Sequence, residues 1–237
     1  MKTNFEKHVA AFDQVLGHCN ALGSVYSPVK ESLKLAAMTT QLSAARQSLA
    51  SYAAAKLAYA SAINERQRVF STLGITASRI CAAMEGTDAS SQIVDDVRLL
   101  KHKLRGTTRK RRSLKQVPNA EASNTSRGPV SQLDYDSKIR NFAAMIELVK
   151  LVPTYQPKQK ELSVASLLAK LTQMMTMHRA VHKAKVAINN AAVARTEAIY
   201  GEHGVTKTAV LVKKFLFSVL GSNAVYQKIR GINAKRL

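Results

Sequence analysis

The chain has 237 residues, 46% of them hydrophobic, with 36 Lys/Arg against 15 Asp/Glu and a formal net charge of +21. That much apolar content excludes wholesale disorder, and the charge favours acidic partners such as nucleic acid or an anionic surface without specifying a fold. Ten glycines, five prolines and 5% aromatics are too few for the frequent turns of a sandwich or barrel, so the chain reads as all-α with few, long helices.

In chain order, an amphipathic helix is predicted over about 4–21, followed by a break at Pro28. An unbroken helical pattern then runs from about 29 to 70. Forty such residues make a rod of about 60 Å. Leu35, Leu42, Leu49, Ile63 and Phe70 fall on a near-heptad stripe interrupted by Lys56, with Met38, Ala45, Tyr52 and Tyr59 three positions on. This is the seam of a helix packed lengthwise on others, as in a coiled coil. A hairpin turn is expected near Gly74, then helices over 76–85 and 91–104. Residues 106–132 are polar, rich in Gly, Pro, Ser, Asn and Thr, and read as a linker with a basic head. After it come helices over 135–151, 158–200, 206–219 and 222–231, with breaks at Pro153, Pro157 and Gly204.

The order of elements is written twice. "YSPVKESL" (26–33) is echoed by "YQPKQKEL" (155–162), and "VFSTLGITAS" (69–78) by "IYGEHGVTKT" (199–208). Both echoes have an offset of 129–130, which points to duplication. The expected organisation is helical repeat 1 over 1–105, a basic linker over 106–134 and helical repeat 2 over 135–237. The two tandem modules are expected to form antiparallel helical bundles.

Charge is unevenly spread. Residues 1–100 hold 10 Lys/Arg against 8 Asp/Glu, residues 101–120 hold 8 against none, and residues 121–237 hold 18 against 7. The dense cluster is Lys101, Lys103, Arg105, Arg109, Lys110, Arg111, Arg112 and Lys115. A run of this kind suits a phosphate backbone, with counterion release and steep salt dependence; the plainer reading is a solvated tether. The second half adds Arg179, Lys183, Lys213, Lys214, Lys228 and Arg230, with few acids near them. A solvated helix face ordinarily mixes both signs, so these residues read as a second patch. No aromatic platform or recognition-helix motif accompanies them, so binding would engage phosphates without reading bases.

Other chemistry is sparse. His178 and His182 are spaced i, i+4, but a zinc site needs a third ligand, and the sequence neighbours Arg179, Lys183 and Lys185 repel a cation. No metal or other cofactor is expected. No Walker loop, nucleophile elbow, HExxH or Cys–His arrangement occurs, so the chain reads as a non-enzyme. "GVTKT" (204–208) reads as a helix start, and Asp95, Asp134 and Asp136 as acids at helix starts or in loops. Cys19 and Cys81 lack metal or redox spacing and fit small core residues of a reduced, cytoplasmic chain. Neither a signal peptide nor an apolar run near the roughly 18 residues of a membrane span is evident.

"PTYQPKQKEL" (153–162), "NAAVARTEAIY" (190–200), "GVTKTAVLVKKFLFSVLG" (204–221) and "YQKIRGI" (226–232) resemble a family of duplicated, all-helical bacterial proteins of the Bacteroidota type. The resemblance covers most of 135–237 and is fainter over 1–105, where Arg79 and Cys81 stand without the Lys213-Lys214 pair. It implies architecture and bacterial origin, and no activity or catalytic residue. Two functions from different classes follow: binding of RNA or DNA through phosphates, or a scaffold that engages a helical protein partner or itself.

Overall fold

The structure, a computed structural model, describes residues 3–106 and 134–232. Among the described residues there are eight α-helices, three short 3-10 turns and no strand. The first helix, α1 (Asn4–Ala21), opens on a capping box. The Thr3 amide donates to Glu6 Oε2 at 2.7 Å, and the Glu6 amide to Thr3 Oγ1 at 3.4 Å. This satisfies two amides that the first turn would leave without partners. Val9, Phe12, Val15 and Cys19 recur at three- and four-residue steps and form its buried face.

Gly23 turns the chain at φ +56°, and two 3-10 turns lead to α2 (Leu35–Ser71). Then follow α3 (Leu73–Glu85), α4 (Ser91–Arg105), α5 (Tyr135–Lys150), α6 (Val164–Tyr200), α7 (Val205–Leu220) and α8 (Ala224–Arg230). Two expectations are corrected. The long helices begin at Leu35 and Val164, because residues before them form the 3-10 turns Glu31–Leu33 and Lys160–Leu162. Gly74 is not a hairpin turn but lies inside α3, which Thr72 alone separates from α2. Gly204, by contrast, stands at the cap position before α7, so "GVTKT" is a helix start.

The helices gather into two compact units. The first comprises residues 1–60 and 183–237, the second 61–182. Each draws on both halves of the sequence. In the first, α1 and the start of α2 share a core with the end of α6, α7 and α8, centred on Phe12, Cys19, Met38, Ile199, Val212 and Leu216. In the second, the end of α2, α3 and α4 share a core with α5 and the start of α6, centred on Leu73, Ile80, Met84, Phe142, Met145 and Met174. Within the first unit α2 and α6 run antiparallel: Arg195 lies over the Tyr52 ring and Lys185 over the Tyr59 ring.

Several interactions recur in both units. The buried Tyr26 hydroxyl donates to the Leu33 carbonyl at 2.6 Å, and Tyr155 to Leu162 at 3.0 Å. Each ties the loop before a long helix to the 3-10 turn that starts it. Arg66 sits 3.7 Å over the Tyr135 ring, and Arg195 sits 3.9 Å over Phe5. The same ring then meets Phe70 at 4.9 Å in one unit and Tyr200 at 5.3 Å in the other. Both long helices have 37 residues.

Candidate nucleic-acid interface

The described part of the basic cluster closes α4. The Ser90 side chain caps that helix by accepting from the Ile93 amide, and Gly106 ends it in the left-handed region at φ +71°. Leu104 anchors the last turn in the core, which leaves Lys101 and Lys103 half-exposed and Arg105 exposed. Cations here also oppose the negative end of the helix dipole. Lys101 stands near Cys81, whose thiol burial pushes up and Lys101 pulls back. Arg109, Lys110, Arg111, Arg112 and Lys115 lie outside the described residues.

The second set is divided between the units. Arg179 belongs to the second unit's share of α6, whereas Lys183, Lys213, Lys214, Lys228 and Arg230 belong to the first unit. Arg179, Lys183, Lys214, Lys228 and Arg230 are exposed. Lys213 is different. It is half-buried, and its Nζ donates to the Ile232 carbonyl at 2.5 Å and to the Arg230 carbonyl at 3.4 Å. Burial lowers its pKa. It therefore closes the C-terminal end of α8, where helix carbonyls lack partners.

Where the carboxylates go matters as much. Among the described residues, ion pairs join Lys34 to Glu31, Arg46 to Asp13, Arg68 to Glu65, Arg79 to Glu161, and Lys150 to Glu147. Arg98 takes two, Glu85 and Asp95, and this contact holds Glu85 below its ordinary range. None of these pairs includes a residue of the predicted interface. Surface pairs of this kind contribute little to stability, but they show which positive charges are already answered within the protein.

The acids at helix starts behave as their positions suggest. Asp134 accepts from the Ser137 amide at 3.3 Å and is held below the usual carboxylate range by Ser137. Asp136 has a further partner that the sequence did not disclose. Its Oδ1 lies 3.0 Å from His178 Nε2, which is also 3.0 Å from His182 Nε2. Arg66 Nη1 approaches the other ring nitrogen, Nδ1, at 3.4 Å. A guanidinium only donates, so Nδ1 is the acceptor and Nε2 carries the proton. A metal on Nε2 would need the opposite tautomer, with Nδ1–H facing the guanidinium. Among the described residues no group of three His, Cys, Asp or Glu could hold a metal ion, and no helix is long and apolar enough to cross a membrane.

No family model, curated protein or solved structure matches the chain.

Proposed function

We propose that the protein is a non-enzymatic, basic helical protein that binds RNA or DNA through phosphate contacts without reading sequence, in the cytoplasm. The observation that carries this reading is the distribution of ion pairs. Arg105, Arg179, Lys183, Lys214, Lys228 and Arg230 are exposed, while the ion pairs of the described residues engage other cations. Counter-charges from a polyanion would complete them, with release of condensed ions. Arg109, Lys110, Arg111, Arg112 and Lys115 extend the same set in sequence. We also read the interactions repeated between the two units as the trace of an internal duplication into tandem modules joined by the basic segment.

A pull-down from lysate, with and without nuclease, tests the function. Material retained only before nuclease supports it; a protein partner retained after nuclease supports the scaffold reading instead. One observation favours that second reading. Phe217 is 52% exposed on α7, and Val210 and Val225 are nearly as open in the same unit. Deleting residues 106–128 separates the two readings. A polyanion binder loses most of its affinity, and a scaffold keeps its partner.

A further inference from the structure

The second unit carries a cleft of about 640 Å³ whose lining mixes three cations with an apolar wall and contains no carboxylate. Arg79 comes from α3, Arg105 from α4 and Lys138 from α5, so three separate helices bring positive charge to one concavity. Arg79 is shared with Glu161, which lies 2.8 Å away and is not itself part of the lining. Arg105 and Lys138 belong to no ion pair among the described residues, although Lys138 also lies 5.6 Å from the Tyr135 ring.

The stem of Arg105 rests against α3 at Gly74. A Cβ at that position would meet Arg105 Cγ at 3.4 Å, an ordinary van der Waals contact. The apolar wall includes Leu73, Leu104 and Ile75; the first two are core residues, and Ile75 is 66% exposed. Ser71 and Ser78 also line the cleft. Both hydroxyls already donate to helix carbonyls, Ser71 to Arg68 at 2.8 Å and Ser78 to Gly74 at 3.0 Å. Their oxygens are thus left as acceptors, suited to hydroxyl groups on a ligand rather than to its phosphate.

We propose that this cleft binds a nucleoside phosphate, with the phosphoryl group against Arg105, Lys138 and Arg79, the sugar hydroxyls donating to Ser71 and Ser78, and the base on Ile75. Cations positioned by separate rigid helices make charge-assisted hydrogen bonds to phosphate oxygens, and a concave apolar surface with a few polar groups is the usual form of a small-ligand site. The inference does not rest on the nucleic-acid reading, since it concerns a single concavity within one unit. The same chemistry could be presented by a free nucleotide or by a nucleotide within an RNA strand.

The test is a fluorescence titration of the full chain with N-methylanthraniloyl-AMP, followed by displacement with AMP, inorganic phosphate or a 12-nucleotide single-stranded RNA. Saturable binding is expected, weakened at least ~10-fold in the double variant R105Q/K138Q, where two charge-assisted contacts are lost. The control variant K30Q/K56Q removes two exposed cations of the other unit and keeps full affinity. Displacement by AMP alone assigns the site to free nucleotide, and displacement by the RNA as well assigns it to a strand. In the wild-type chain, AMP should also protect Lys138 but not Lys56 from chemical acetylation, a readout that does not depend on any variant folding. Absence of saturable binding, equal weakening in the two double variants, or no protection of Lys138 overturns the proposal. RNA binding that remains salt-dependent in that event leaves the broader nucleic-acid reading standing.

Discussion

The guanidinium of Arg66 lies 3.7 Å above the ring of Tyr135, and its Nη1 reaches His178 Nδ1 at 3.4 Å. One side chain near the end of α2 thereby joins the first residue of α5 to α6. The Arg66 Nε is buried and has no hydrogen-bond partner, so its hold on this site comes from the ring and the histidine. Arg66→Gln is expected to lower unfolding free energy by about 1–2 kcal/mol, the range for a partly desolvated cation–π contact. Arg66→Lys should recover part of the loss, and urea unfolding of the three proteins measures it.

Tyr26 and Tyr155 make a second paired test. Each hydroxyl satisfies a carbonyl in the 3-10 turn before a long helix, and both tyrosines are buried. Replacing either by Phe leaves that carbonyl without its donor, which costs about 1–3 kcal/mol. Thermal melts of Y26F and Y155F should both fall below wild type, and hydrogen exchange should rise first at the starts of α2 and α6 respectively.

Alkaline stability should respond to Cys19. Burial pushes its thiol from 9.0 to about 11, and burial raises the Tyr26 phenol as well. Both groups favour their neutral forms in the folded chain. The unfolded thiol ionises near 9 while the folded one stays protonated, so the unfolded state binds fewer protons and stability falls from about pH 9 to about pH 11. Lys170 and Lys213 act in the opposite sense. Burial lowers both pKa values, so their contribution rises with pH until the unfolded lysines lose their protons. Cys19→Ala should therefore show a shallower loss of melting temperature between pH 8 and pH 10.5 than wild type.

Lys213 and Lys214 are neighbours with different surroundings. Lys213 donates to the Arg230 and Ile232 carbonyls, whereas Lys214 is exposed. Lys213→Ala is expected to accelerate hydrogen exchange in α8 and leave oligonucleotide affinity nearly unchanged. Lys214→Ala should do the reverse, weakening binding uniformly across sequences, as loss of a phosphate contact does.

The helices were legible in the sequence because their signals are local. Apolar periodicity runs within each segment, Pro28, Pro153, Pro157 and Gly204 break it, and Asp134 caps α5 from its own segment. Signals that depend on distant partners were not. Tyr26 looks like a loop residue until the Leu33 carbonyl is seen to accept its hydrogen bond. The stripe from Leu35 to Phe70 reads as one continuous seam, yet Met38, Leu42 and Ala45 are buried in one core and Val69 and Phe70 in another. Periodicity along a helix cannot register that its two ends serve different cores. The surplus of cations was legible as composition. The donation from Lys213 to carbonyls, the approach of Asp136 to His178, and the cleft around Arg105 all required elements far apart in sequence.

In the proposed function, exposed cations without carboxylate partners among the described residues find phosphates on nucleic acid. Filter binding of a radiolabelled double-stranded oligonucleotide across 50 to 200 mM salt tests it most directly. Contacts to six to ten phosphates predict that affinity falls by about 10³–10⁵ over that range, with a linear slope on logarithmic axes. A flat response, or no retention at 50 mM salt, would contradict the claim.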